Sequence, residues 1–157
     1  MNRPLRLALS ACLAVTAVLA QEAAIAITGV GGKSAHLTLA DLSKLPQQTF
    51  TATDHGVTVS FSGVLLSDVL AKVDTPTGEA FRKTAASHFV VVEAKDGYRA
   101  VFAWAELDPS FTDRKVYLAT HRDAKPLSDQ DGPLMTVVPD DKRASRWVRA
   151  VTSLTIR

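Results

Sequence analysis

The stretch "HFVVVEAKDGYRAVFAWAELDP", His88 to Pro109, is where the fold is decided. His88 to Ala94 is rich in Val and Phe, Lys95-Asp96-Gly97 has the composition of a tight turn, and Tyr98 to Phe102 is apolar again. Two β-prone runs joined by three turn-forming residues predict an antiparallel hairpin. Trp104 to Leu107 reads as a short helix, stopped by Asp108-Pro109 because proline disfavours helix in the residue before it.

Upstream of the hairpin, Ile25 to Val30 alternates as a strand does, and Gly29, Gly31 and Gly32 end it. Thr38 is an expected N-cap for a helix over Leu39 to Leu45, with Asp41 in the first turn and Pro46 closing it. Gln48 to Thr53 and Val57 to Phe61 read as strands joined by a turn at Asp54-His55-Gly56. Phe50 and Ala52 share one face of the first; Val57, Val59 and Phe61 share one face of the second, and this side is expected to be buried while the other is rich in Thr and Ser. Gly63 opens a new unit in this reading, a helix from about Leu66 to Lys72 follows, and Thr75 to Gly78 breaks the chain before Phe81 anchors a short turn. Downstream, Val116 to Thr120 and Leu134 to Val138 read as buried strands, His121 to Gly132 as polar loop, and Trp147 to Ile156 as the end of the sheet. The expectation is a single compact, mixed, β-rich α+β domain with a few short helices.

The chain has 157 residues. Residues 1–20 read as a secretory signal peptide: Arg3 and Arg6 precede the apolar run Leu7 to Leu19, and Val18-Leu19-Ala20 offers small residues for cleavage before Gln21. Leu9-Ser10-Ala11-Cys12 resembles a lipoprotein signal, but the apolar run continues past the cysteine. The domain then occupies residues 21–157, in the periplasm or outside the cell, with no transmembrane segment of its own. The chain carries 18 basic and 16 acidic residues, and without Arg3 and Arg6 the two counts are equal. A net charge of zero argues against nucleic acid as a partner. The single cysteine, Cys12, would leave with the signal, so a core rather than a disulfide must stabilise the domain.

Few motifs carry chemistry. Gly31-Gly32-Lys33-Ser34 looks like the tail of a phosphate loop, but Ile27 stands where that motif needs glycine. His36, His55, His88 and His121 show no metal-ligand spacing. No Gly-x-Ser-x-Gly occurs. Asp129 and Asp131 share a loop without the other residues of a calcium-binding loop. The one concentration of charge is "DGPLMTVVPDDKRASRWVRAV", Asp131 to Val151, where Lys142, Arg143, Arg146 and Arg149 surround Trp147. Such a group can bind phosphate or carboxylate through charge-assisted hydrogen bonds. Equally, Asp140 and Asp141 can neutralise Lys142 and Arg143, with Trp147 a core residue whose N–H is satisfied.

The segments "LTLADLSKLP", "FSGVLLSDVLAKV", "VVVEAKDGYRAVFAWAELDP", "KPLSDQDGPLMTVVPDDKR" and "RWVRAVTSLTI" occur in that order. Together they resemble the molybdopterin-binding domain of the sulfite oxidase family, in its short exported bacterial form. The likeness runs from about Ile25 to Ile156 and implies the family's mixed α+β fold, a pterin cofactor with a phosphate tail, and oxo-transfer or related redox activity at molybdenum. It places Lys142, Arg143 and Arg146 where the family's basic residues help hold the cofactor's phosphate. It assigns no catalytic residue and no metal ligand. Family enzymes hold molybdenum through a cysteine thiolate in the loop after the strand that is Gln48 to Thr53 here, and this loop reads Asp54-His55-Gly56. Neither carboxylate nor imidazole replaces soft sulfur. The chain also lacks most of the segments that enclose the pterin in larger members. Two readings follow: a molybdopterin-binding domain in a redox system, or a cofactor-free periplasmic module for a small anion or a protein partner. The missing thiolate leaves enzymatic activity undecided between them.

Overall fold

Twelve regular elements succeed one another in the computed structural model, which describes residues 24–73, 75 and 84–157. They are β1 (Ala24–Thr28), β2 (Ser34–Thr38), α1 (Leu39–Ser43), β3 (Gln48–Asp54), β4 (Val57–Leu65), α2 (Leu66–Leu70), β5 (Phe89–Ala94), β6 (Arg99–Ala103), β7 (Tyr117–Arg122), β8 (Lys125–Pro126), β9 (Met135–Val137) and β10 (Val151–Ile156). Short 3-10 turns punctuate them, among them Trp104–Glu106 and Ala144–Arg146. The signal peptide, the break at Pro76 to Gly78 and the anchor at Phe81 lie outside the described residues.

Strands β2-β1-β10-β5-β6 form one sheet, and β3-β4-β7-β8 form a second, with β9 also paired to β7. Every pairing is antiparallel except β1 with β10, which is parallel. Both sheets feed one core. Ile25, Ile27, Val90, Val92, Phe102, Leu154 and Ile156 come from the first, and Val59, Phe61, Leu118, Met135 and Val137 from the second. Alternate residues of β5 and β6 point inward, so the hairpin read from the sequence buries Val90, Val92, Ala100 and Phe102.

Local chemistry explains the joints. In the hairpin loop Lys95-Asp96-Gly97, Gly97 takes φ 85°, as the left-handed position of a three-residue loop requires. Asp54 pairs with Val57, leaving a two-residue turn in which His55 and Gly56 both have positive φ, 49° and 84°. That geometry matches the strand twist. Thr38 caps α1 as expected: its hydroxyl accepts from the Asp41 N–H at 3.1 Å, and Asp41 Oδ2 accepts from the Thr38 N–H at 3.2 Å.

Four expectations need correction. Gly63 does not open a new unit, because β4 runs on to Leu65. Its lack of a side chain serves packing instead: a Cβ there would lie 2.2 Å from the Leu118 carbonyl oxygen. Val57 is 62% exposed, since it borders the turn rather than the core. The loop after Thr120 still holds the end of β7 and the short β8, joined through Asp123 and Ala124 at positive φ. Trp147 to Ala150 is not strand, and β10 begins at Val151. In addition, β2 forms where the sequence reading assigned no element, paired along β1.

Two substitutions test this account. Thr38→Ala should cost about 1 kcal/mol, the ordinary worth of an N-cap oxygen. The Asp41 carboxyl is held down to about 2 by its hydrogen bond to Lys44 and then by those to Thr38. The stabilisation from that charge is present above the usual carboxylate range and fades as pH falls toward about 2. The gap between wild type and Thr38→Ala in urea unfolding should therefore narrow in acid. Ala150 sits at φ 46°, so Ala150→Gly should raise stability by about 1 kcal/mol, read from the unfolding midpoint.

Candidate functional site

The basic stretch is built on β9. Thr136, fully buried, donates its hydroxyl to the Arg146 carbonyl at 2.9 Å and accepts from the Val148 N–H at 2.7 Å. After Val138, Pro139 diverts the chain and Asp141 N–H turns back to the Val138 carbonyl at 3.2 Å. Trp147 is buried; its indole N–H donates to the same Val138 carbonyl at 3.2 Å, and its ring meets Phe61 edge-on at 5.7 Å. The tryptophan is therefore a core residue with a satisfied N–H. The segment from Pro139 to Ser145 is a loop held at its base by these contacts.

The structure divides the three candidate cations. Lys142 and Arg143 line a cleft of about 700 Å³ that Thr53, His55 and Gly56 also line. The β3–β4 turn and the basic loop, some eighty residues apart in sequence, thus share one cavity. Lys142 and Arg143 are exposed and form no ion pair among the described residues. Asp140 and Asp141 also border the cleft. Burial, and then the Asp140 charge, raise the Tyr117 phenol above its ordinary value.

Arg146 is not a wall of that cleft. It grips Asp141 with two hydrogen bonds, Nε to Oδ2 at 2.8 Å and Nη2 to Oδ1 at 2.7 Å, and reaches Glu106 Oε2 through Nη1 at 2.9 Å. The guanidinium lies over the Phe102 ring, 4.8 Å from its centroid. The Asp141 hydrogen bonds, with help from Glu106, raise its already high pKa further against a desolvation penalty. Arg114 adds a second cation, 3.8 Å from Glu106 and 3.9 Å from Asp141.

Other arginines near the site are also matched by carboxylates. Arg122 Nη2 lies 3.1 Å from Asp54 Oδ2, and Arg149 Nε lies 3.3 Å from Asp131 Oδ1. Both pairs border a small depression whose lining includes Trp147 and Ala144, and Ala144 is also part of the larger cleft. Sequence spacing offered no signal for the pairing of Asp54 with Arg122, which depends on the register of β3, β4 and β7. A separate apolar cleft of about 510 Å³, lined by Leu39, Leu42, Leu127 and Pro133 among others, lies beside α1 and includes His121.

The family profile of the oxidoreductase molybdopterin binding domain matches residues 13–157. The chain belongs to that family. Among solved structures, the sulfane dehydrogenase SoxCD from Paracoccus pantotrophus is similar in fold, with a TM-score of 0.65 at 22% identity. The match covers 85% of this chain and 38% of that one, so the molybdopterin-binding-family domain here spans well under half of the larger protein. No curated protein matches the chain.

Whether the cleft suits the family's metal is a question of donor chemistry. Asp54 is engaged by Arg122 and only 15% exposed, while His55 projects into solvent with its ring 3.7 Å from Asp54. The described lining offers carboxylates, one imidazole and cations but no thiol. Among the described residues no cluster of three or more His, Cys, Asp or Glu is arranged to hold a metal ion. These donors do not fit molybdenum. The two cations do fit a phosphate.

The Asp54–Arg122 pair is half-buried, so its worth is modest. Asp54→Asn should cost about 1 kcal/mol at low ionic strength. In urea unfolding the loss should shrink in 1 M salt, since screening weakens a partly exposed pair.

Proposed function

We propose that this molybdopterin-binding-family domain is an exported module that binds a phosphate-bearing anion of the pterin-cofactor type, without oxo-transfer chemistry of its own. The reading rests on one observation: Lys142 and Arg143, with no ion pair to neutralise them among the described residues, line a single cleft together with the β3–β4 turn. That turn follows the strand after which the resemblance places the metal-binding cysteine. Lys142 would meet the anion as a mobile point charge and Arg143 as a planar fork. The carboxylates that would repel an anion are partly silenced, because Asp54, Asp131 and Asp141 each spend their charge on an arginine. Asp140 stays as an opposing charge at the rim, which favours a ligand able to reach past it to both cations.

The export part of this reading, to the periplasm or outside the cell, is supported by Arg3 and Arg6, the apolar run Leu7 to Leu19 and the small residues before Gln21. Among the described residues no helix is long and apolar enough to cross a membrane. A second reading has the cleft hold the complete cofactor with its metal, within an exported redox system that includes a protein partner. Family membership supports it; the donor set opposes it.

Calorimetric titration with inorganic phosphate tests the proposal. Wild-type protein should bind, and Lys142→Ala/Arg143→Ala should weaken binding by at least about tenfold, since each lost charge-assisted hydrogen bond is worth about 1.5–3 kcal/mol. Its unfolding midpoint should stay near the wild-type value because both side chains are exposed. Equal phosphate affinity in the two proteins, or no binding by wild type, would overturn the assignment.

A further inference from the structure

We propose that Arg146 is a positioning residue: held by Asp141 and Glu106, it sets the loop that presents Lys142 and Arg143 to the cleft. The inference rests on the reading that those two cations bind an anion. It replaces the role that the family resemblance implies for Arg146, that of a third phosphate ligand.

The geometry carries the argument. Arg146 commits Nε and one hydrogen on each Nη to carboxylates at 2.7 to 2.9 Å. Three of its five N–H groups are spent. Its guanidinium plane also rests on Phe102, which is fully buried and therefore a fixed surface. A side chain held this way is poorly placed to rotate toward the cleft, whose lining excludes it.

What Arg146 does hold is the loop itself. Asp141 immediately precedes Lys142, so a bidentate grip on its carboxylate fixes the backbone that carries both cations. Glu106 belongs to the turn after β6, outside the loop, so the grip ties the loop to the first sheet. The backbone of Arg146 is tied independently, through Thr136 to β9. The loop is thus clamped at its root by backbone bonds and at its middle by a side chain. Arg146 also offsets the Asp141 charge, pairing with both carboxylate oxygens. Without it, that carboxylate would keep only the longer contact to Arg114, at 3.9 Å, and would oppose Lys142 and Arg143 more strongly in the cleft that all three line.

Positioning and direct binding predict different results for phosphate titration. Arg146→Ala should weaken phosphate by about tenfold with Lys142 and Arg143 intact, a change equivalent to about 1.4 kcal/mol. Arg146→Lys should not restore binding, because an ammonium cannot reproduce a planar bidentate grip plus a third bond. A directly binding cation would tolerate lysine. Asp141→Asn supplies a test by sign, and it keeps the side chain's size and leaves Arg146 in place if Arg146→Ala fails to fold. Removing a negative charge from the cleft should tighten phosphate if only electrostatics matter; loss of the clamp should weaken it. We expect weaker binding. Tighter or unchanged binding by Asp141→Asn, wild-type affinity in Arg146→Ala, or full rescue by lysine would each overturn the positioning role. If instead the Lys142→Ala/Arg143→Ala protein binds phosphate normally, the anion-site reading fails by itself, because that comparison leaves Arg146 untouched.

Discussion

The buried meeting of Trp147 with β9 and β4 is the constraint on which the rest of the site depends. One carbonyl, that of Val138, receives both the indole N–H of Trp147 and the backbone N–H of Asp141. Two residues earlier, the Thr136 hydroxyl bridges Arg146 and Val148. A hydroxyl with no access to water is costly unless both its donor and acceptor capacities are used, and here both are. These bonds close the chain from Val138 to Val148 into a loop with a fixed base. Phe61, edge-on to the indole, fastens that base to the second sheet. From Trp147 onward the chain can only leave toward β10, whose parallel pairing with β1 brings the two ends of the described domain together.

On that base the charges sort themselves by what they can reach. Arginines near carboxylates on other elements become internal ties: Arg122 to Asp54, Arg149 to Asp131, Arg146 to Asp141 and Glu106. Such partly exposed pairs add modest stability each, yet each removes a cation from the pool available to a ligand. Lys142 and Arg143, at the tip of the loop, have no such partner within the described residues. The neutral balance of residues 21–157 therefore conceals a locally positive patch, and its strength depends on how many carboxylates are already occupied.

Much of the fold was legible because it is written in local chemistry. The Val-rich runs around Lys95-Asp96-Gly97, the Thr38 cap and the His55-Gly56 turn each specify a conformation within a few residues. Strand β2 escaped notice because it pairs at the sheet's outer edge, and Ala35 and Leu37 are its only apolar residues. The continuation of β4 through Gly63 was also hidden, since a glycine that marks a boundary and one that admits a neighbouring carbonyl look alike in sequence. The site was half legible. The density of bases around Trp147 marked the right segment, and order of motifs tied it to the family. Which cations face solvent and which face carboxylates could not be read, because Asp54 meets Arg122, and Glu106 meets Arg146, only after the strand pairings have brought distant segments together.

The central claim is that this domain keeps the family scaffold and an anion cleft while lacking the sulfur that would bind the metal. It is tested most directly by expressing the full chain in a host that makes molybdopterin and measuring molybdenum and released pterin in the purified, folded protein. The account predicts molybdenum far below one atom per chain, whether or not pterin is retained. Near-stoichiometric molybdenum that survives gel filtration would contradict it.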